Sequence, residues 1–146
     1  MAVVGPGEAS DAELQSAHAV GAELAARDVV LVCGGLGGVM AAACQGARSN
    51  GALTVGILPG SDRSAANEWI TVAIPTGLGE LRNGLVVRAG DAVIAVGGSY
   101  GTLSEIALAL KAGVRVIALG SWDIPGVEFA ADARDAVTKA LRRMAD

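Results

Sequence analysis

The residues best placed to do chemistry lie in one run, Gly97-Gly98-Ser99-Tyr100-Gly101-Thr102-Leu103-Ser104-Glu105. The apolar segment Ala92-Val93-Ile94-Ala95-Val96 precedes it, and Leu103, Ile106, Ala107 and Leu110 follow at helical spacing. The glycines therefore mark the turn from a buried strand into a helix. Such a turn presents unpaired N–H groups at the positive end of the helix dipole, which suits a phosphate. Gly97, Gly98 and Gly101 carry no Cβ to block an anion, and Thr102 and Ser104 add hydroxyl donors. Glu105 has two readings. It is either a carboxylate favoured in the first helical turn by the dipole, or a carboxylate facing the sugar or base beyond a bound phosphate.

The elements that must position this turn recur along the chain. Apolar strand-length runs occupy residues 2–4, 29–33, 53–58, 70–74, 92–96 and 114–119. Helical patterns lie between them, and a last one over 128–145 carries Ala133, Ala136, Val137, Ala140 and Leu141 inward. Near its end, Lys139, Arg142 and Arg143 suit the dipole as solvated charges. Ser10 and Glu13 form a capping-box pattern at the start of the first helix. Continuously apolar strands alternating with helices predict an α/β fold. It is one doubly wound Rossmann-like domain over residues 1–146, with a parallel sheet of about six strands and helices on both faces.

In such sheets ligands lie at the carboxyl ends of the strands. Five small-residue loops fall on that rim: 5–7, 34–38, 59–60, 75–77 and 97–102. The 34–38 run, Gly34-Gly35-Leu36-Gly37-Gly38, is a second strand–glycine–helix junction. Alone it fits tight helix–strand packing as well as it fits a ligand; its recurrence at Gly97 favours the ligand.

Composition narrows the function classes. The chain is 52% hydrophobic but only 3% aromatic, so the core must be aliphatic. A formal net charge of −4 with no basic cluster argues against nucleic acid. No apolar run reaches membrane-spanning length, and the N-terminus begins directly as a strand; both point to the cytoplasm. Cys33 and Cys44 lack metal-pair spacing and read as reduced small hydrophobes, so no protein-ligated metal is expected. His18, the only histidine, reads as structural or solvated. The Ala- and Leu-rich faces of helices over 38–48 and 78–88 predict self-association, most simply as a homodimer.

Taken together, Val4-Gly5-Pro6-Gly7, residues 33–40 from Cys33 to Met40, residues 56–60, Thr76-Gly77, Arg82-Asn83 and the 97–105 run resemble the LOG-like (SLOG) Rossmann superfamily, often mislabelled lysine decarboxylase. The resemblance covers almost the whole chain. It implies a ligand-binding set of Gly5, Gly7, Gly35, Gly37, Gly38, Met40, Thr76, Arg82, Asn83, Gly97, Gly98, Ser99, Tyr100, Gly101, Thr102 and Glu105. It also implies one of two functions. One branch hydrolyses nucleoside 5′-monophosphates such as AMP to base and ribose 5-phosphate; there Arg82 and Glu105 would be catalytic. The other includes molybdenum cofactor carriers, in which the same residues would only contact ligand. The hydrolases have proline at the position of Val96 and lysine at that of Asn83. These departures, the short chain and the Gly5-Pro6-Gly7 opening bring the sequence nearer the carrier branch. Whether the protein turns over a substrate stays open at this point. Arg82 also has a simpler reading, a surface ion pair with Glu80 or Asp91.

Overall fold

The computed structural model describes residues 1–142. Among the described residues seven strands form one all-parallel sheet: β1 Ala2–Val4, β2 Leu31–Cys33, β3 Thr54–Leu58, β4 Val72–Pro75, β5 Ala92–Val96, β6 Arg115–Leu119 and β7 Val127–Phe129. Their order is β4-β3-β2-β1-β5-β6-β7. The chain winds outwards from β1 to β4, crosses the sheet, and winds outwards again from β5. The strand order thus reverses between β1 and β5, and a doubly wound sheet opens its binding crevice at such a switch point. Val3 pairs in register with Ile94, which brings the loops after β1 and β5 to the same edge.

Helices cover both faces. On one side lie α1 Asp11–Ala25, α2 Val39–Ser49 and α5 Ala133–Leu141, packed on Val3, Leu31, Cys33, Ile94 and Ile117. On the other lie α3 Asn83–Ala89 and α4 Tyr100–Lys111, packed on Ala2, Val4, Val32, Val93 and Val116. Leu24, Leu31, Leu58, Ile94, Ile106 and Ile117 are fully buried, and each such side chain contributes about 1.5–3 kcal/mol. The Ser10–Glu13 capping box forms as predicted: Ser10 Oγ accepts from Glu13 N–H at 3.2 Å, and Ser10 N–H donates to the Glu13 carboxylate at 2.9 Å.

Three expectations change. The sheet gains a seventh strand, because Val127-Glu128-Phe129 pairs with β6 instead of opening the last helix. That helix starts at Ala133, where Asp132 accepts from Asp135 N–H at 2.8 Å and terminates the preceding extended segment. Ala136, Val137 and Ala140 face inward as predicted; Arg143 and Ala145 lie outside the described residues. Second, Lys139 and Arg142 are not free charges. Lys139 donates to Phe129 O at 2.6 Å and pairs with Asp135, while Arg142 pairs with Glu128 at 3.6 Å. Third, the small-residue face of α2 is used inside the molecule. A Cβ at Gly21 would lie 1.9 Å from Ala43 O and one at Gly46 2.0 Å from His18 O, so α1 and α2 meet backbone to backbone. Exposed apolar side chains remain instead around α3, at Leu78, Leu81 and Leu85.

Candidate functional site at the strand switch point

The turn after β5 leads directly into α4. Gly97 adopts φ +68°, a left-handed conformation, and swings the chain off the strand. Ser99 caps α4: its Oγ accepts from Thr102 N–H at 3.3 Å and lies 3.0 Å from Thr102 Oγ1. The first N–H groups of α4, at Tyr100 and Gly101, have no partner within the helix. Trp122, in the loop after β6, donates its Nε1–H to Ser99 O at 3.0 Å and stacks on Tyr100 with ring centroids 6.3 Å apart. It fixes the turn from behind.

This turn forms one wall of a cavity of about 250 Å³. Val4, Gly5 and Gly7 supply the loop after β1, Leu36 and Met40 come from the β2–α2 junction, and Arg82 and Asn83 from the start of α3. Ser99, Gly101, Thr102 and Glu105 complete it. Gly5 must be glycine here, since a Cβ would lie 2.4 Å from Val96 O and 2.6 Å from Val39.

The electrostatics of the cavity are those of an incompletely paired site. Arg82, Asn83, Thr102 and Glu105 are all buried. The Arg82 guanidinium donates Nη1–H to Asn83 Oδ1 and Nη2–H to Gly34 O at 3.5 Å, and its Nε has no partner. A buried donor without a partner costs about 1–3 kcal/mol, and a ligand acceptor would remove that cost. The expected alternative, an ion pair with Glu80 or Asp91, is not formed among the described residues; Arg82 is buried and donates to Gly34 O instead. Burial pushes the Glu105 carboxyl up to about 7, with the positive charge of Arg82 opposing the shift. Burial likewise lowers Arg82, opposed by Glu105. The carboxyl therefore populates both protonation states near neutral pH, and can donate or accept.

Of the residues singled out in the sequence, Gly5, Gly7, Met40, Arg82, Asn83, Ser99, Gly101, Thr102 and Glu105 come together around this cavity. Gly35, Gly37, Gly38, Thr76, Gly97, Gly98 and Tyr100 do not line it. Gly38 contacts the loop after β1, where a Cβ would meet Pro6 O at 2.3 Å. Thr76 donates to Leu58 O at 2.7 Å and holds its own turn. Tyr100 projects outwards, 85% exposed. A Cβ at Gly98 would meet Trp122 Nε1 at 3.2 Å, so Gly98 faces the buttress behind the turn. Val4 and Leu36 also line the cavity; they belong to the family-like runs of the sequence, but as apolar residues they were not among the expected ligand contacts. Trp122 was legible only as one of two tryptophans in an aromatic-poor chain.

A second, wider cavity of about 770 Å³ opens between the N-terminal halves of α1 and α2. It is lined by Leu14, Gln15, Ala41, Gln45 and Trp69, with His18 exposed on its rim. No buried charged side chain lines it, and we place the site in the smaller cavity for that reason.

The sequence matches the SLOG cluster4 family over residues 1–144. The chain belongs to that family. A protein of Archaeoglobus fulgidus described as uncharacterized is 46% identical over 117 residues, covering 80% of this chain and 77% of the relative. The fold is also close to solved structures. The molybdenum cofactor binding protein from the phototrophic bacterium Rippkaea orientalis superposes with a TM-score of 0.90 at 38% identity, covering 94% of this chain and 92% of that one. The molybdenum cofactor carrier protein of Chlamydomonas reinhardtii gives a TM-score of 0.85 at 32% identity, with the same coverage of both chains. The doubly wound Rossmann-like fold and the carrier-type branch read from the sequence agree with these likenesses. No helix among the described residues is long and apolar enough to cross a membrane, and no group of three or more His, Cys, Asp or Glu side chains among them is placed to hold a metal ion.

Proposed function

We propose that the protein is a carrier for a phosphorylated, pterin-type ligand, the molybdenum cofactor. The observation that carries the reading is the partnerless, buried Arg82 Nε beside a helix N-terminus and two hydroxyls in one cavity. These residues fit the terminal phosphate of such a cofactor. The α4 amides and the Ser99 and Thr102 hydroxyls would hold the phosphate, and the Arg82 Nε–H would donate to one of its oxygens. The bound cofactor would bring molybdenum with its own dithiolene sulfurs, so the protein need not ligate the metal. The likeness to the carriers of Rippkaea orientalis and Chlamydomonas reinhardtii supports this reading. We further propose that the whole chain works as one domain in the cytoplasm, without nucleic acid or membrane. In our reading two copies meet through the exposed Leu78, Leu81 and Leu85.

One observation favours a second reading. A buried carboxyl with a pKa of about 7, facing the cavity, is suited to general acid–base work. In a phosphoribohydrolase acting on AMP, ionised Glu105 would stabilise positive charge developing on the ribose, and Arg82 would orient the phosphate. Asn83 offers only a neutral amide beside Arg82, and the carrier reading ranks first for that reason.

The test is purification from cells that make the cofactor, followed by pterin fluorescence after oxidation and molybdenum analysis. Pterin and molybdenum in equal amounts, approaching one per chain, are expected. Cofactor-free protein that releases adenine from AMP, with release abolished in Glu105→Gln, would install the hydrolase instead.

A further inference from the structure

The wide cavity between the N-terminal halves of α1 and α2 has its own chemistry. The small side chains of Ala41 and Ala42 leave it open, and the half-buried Trp69 lends it an indole. Gln15 and Gln45 place two amides along it, and an amide both donates and accepts hydrogen bonds. No lysine or arginine lines it, and its one carboxylate is the exposed Glu8. A phosphate would find repulsion there and no clamp. A flat, uncharged heterocycle with lactam or amidine edges, such as a purine or a pterin, matches an indole flanked by amides.

This cavity adjoins the one at the switch point, since Gly7 lines both. Neither backbone nor packing demands glycine at that position. Its φ lies outside the left-handed region, and a Cβ there would meet nothing within 4 Å. The missing side chain leaves room for a molecule to pass from one cavity to the other. The first turn of α2 divides the two spaces, with Met40 lining the small one and Ala41 the wide one. Asn67 fixes their walls to each other. Its Oδ1 accepts the Trp69 N–H at 2.9 Å, and its Nδ2–H donates to Leu36 O at 2.8 Å, where Leu36 lines the small cavity. At about 250 Å³ the small cavity falls below the roughly 300–1,000 Å³ of small-molecule pockets. A ring-bearing ligand whose phosphate fills it must extend beyond it.

We propose that the wide cavity receives the flat heterocycle of the ligand whose phosphate the small cavity holds, with Trp69, Gln15 and Gln45 as the residues that select the ring. The inference rests on the reading of a phosphorylated, ring-bearing ligand given above. Charge sets the orientation: Arg82 and the α4 N-terminus attract the phosphate to one end, and Glu8 keeps it from the other. The linking part of the ligand crosses Gly7. Trp69 contributes apolar contact to the ring, and the two glutamines read its edges.

The test titrates the folded protein with AMP and, separately, with ribose 5-phosphate, which carries the phosphate without the ring. Nitrogen-edited NMR follows the Trp69 indole N–H, the Gly101 amide and the Arg82 Nε–H. AMP should move all three, and ribose 5-phosphate only the last two. AMP should also bind about tenfold more tightly than ribose 5-phosphate. Trp69→Leu should remove that advantage and leave the affinity for ribose 5-phosphate unchanged. Ala41→Leu, which fills the wide cavity and spares the packing of Trp69, should do the same and serves if Trp69→Leu does not fold. Movement of Gly101 and Arg82 by AMP with Trp69 still would overturn the place of the ring and leave the phosphate site standing. Movement of Trp69 alone would make the cavities separate sites and overturn the bridge. No movement at any of the three would overturn the phosphate reading and this inference together.

Discussion

The chain contains two strand–glycine–helix junctions that look alike in sequence and differ in what their donors and acceptors do. In the 34–38 junction several backbone groups are tied to protein. Val39 N–H goes to Pro6 O at 3.0 Å, Gly35 N–H to Cys33 Sγ, and Asn67 takes the carbonyls of Gly35 and Leu36. Its glycines permit close approach of backbone to backbone. In the 97–102 junction Trp122 holds the turn from behind, while Ser99, Gly101, Thr102 and Arg82, whose Nε has no partner, line a cavity. The comparison teaches that the number of glycines in a turn says little about what gathers beside it: only the second junction has a buried Arg82 whose Nε is without a partner at its cavity.

The largest effect should come from testing the packing junction. Gly38 has φ +62° and no room for a Cβ beside Pro6 O. Gly38→Ala should lower stability by about 3 kcal/mol or more in urea unfolding. A loss under about 1 kcal/mol would erase the contrast between the two turns.

A buried charge distinguishes the second junction, and pH reads it. Folding raises the Glu105 carboxyl from its ordinary 4.5 to about 7 by burial, so the folded state holds a proton that the unfolded state releases. Its contribution is fully favourable below pH 4.5, is lost as pH rises through 7, and is flat above. Glu105→Gln should therefore be more stable than wild type above neutrality by on the order of 3 kcal/mol, with the gap closing towards acid pH. Parallel stability–pH curves for the two proteins would show that Glu105 is not buried as a charge.

Gly101 offers the cleanest intrusion into the cavity, because a Cβ there meets only Ser99 Oγ at 3.8 Å. Gly101→Val should keep its stability within about 1 kcal/mol yet weaken AMP or cofactor binding by about tenfold or more. Gly98→Val is a poorer probe, since its side chain would press on Trp122. Unchanged affinity in a folded Gly101→Val protein would move the site elsewhere. The smallest effect is expected from Ser99→Ala, which removes the α4 cap. It should cost about 1 kcal/mol in thermal or urea unfolding, and Ser64→Ala, in the exposed 61–68 loop, serves as a control near zero.

The fold was legible because its signals are local and repeated. Apolar runs, capping residues and glycine breaks placed six of the seven strands. The seventh was missed because the charged Glu128 interrupts Val127-Glu128-Phe129, unlike the equally short but wholly apolar β1, and pairing with β6 makes a strand of it. The site was legible where residue type reports chemistry: Arg82, Ser99, Thr102 and Glu105 converge on one cavity. It was not legible where direction matters. Nothing in the sequence distinguishes Gly101, which faces the cavity, from Gly98, which faces Trp122. Nor could spacing reveal that Cys33 and Cys44, eleven residues apart, touch across a strand and a helix.

The central claim is that the 97–102 turn together with Arg82, and not the 34–38 loop, holds a phosphorylated ligand. The most direct measurement is a nitrogen-edited NMR titration of the protein with AMP, following backbone amides and the Arg82 Nε–H. The account predicts saturable shifts at Gly101, Thr102 and Arg82 Nε, with Val39 and Gly35 little changed. Shifts centred on the 34–38 loop and Val39, with Gly101 and Arg82 Nε unmoved, would contradict it.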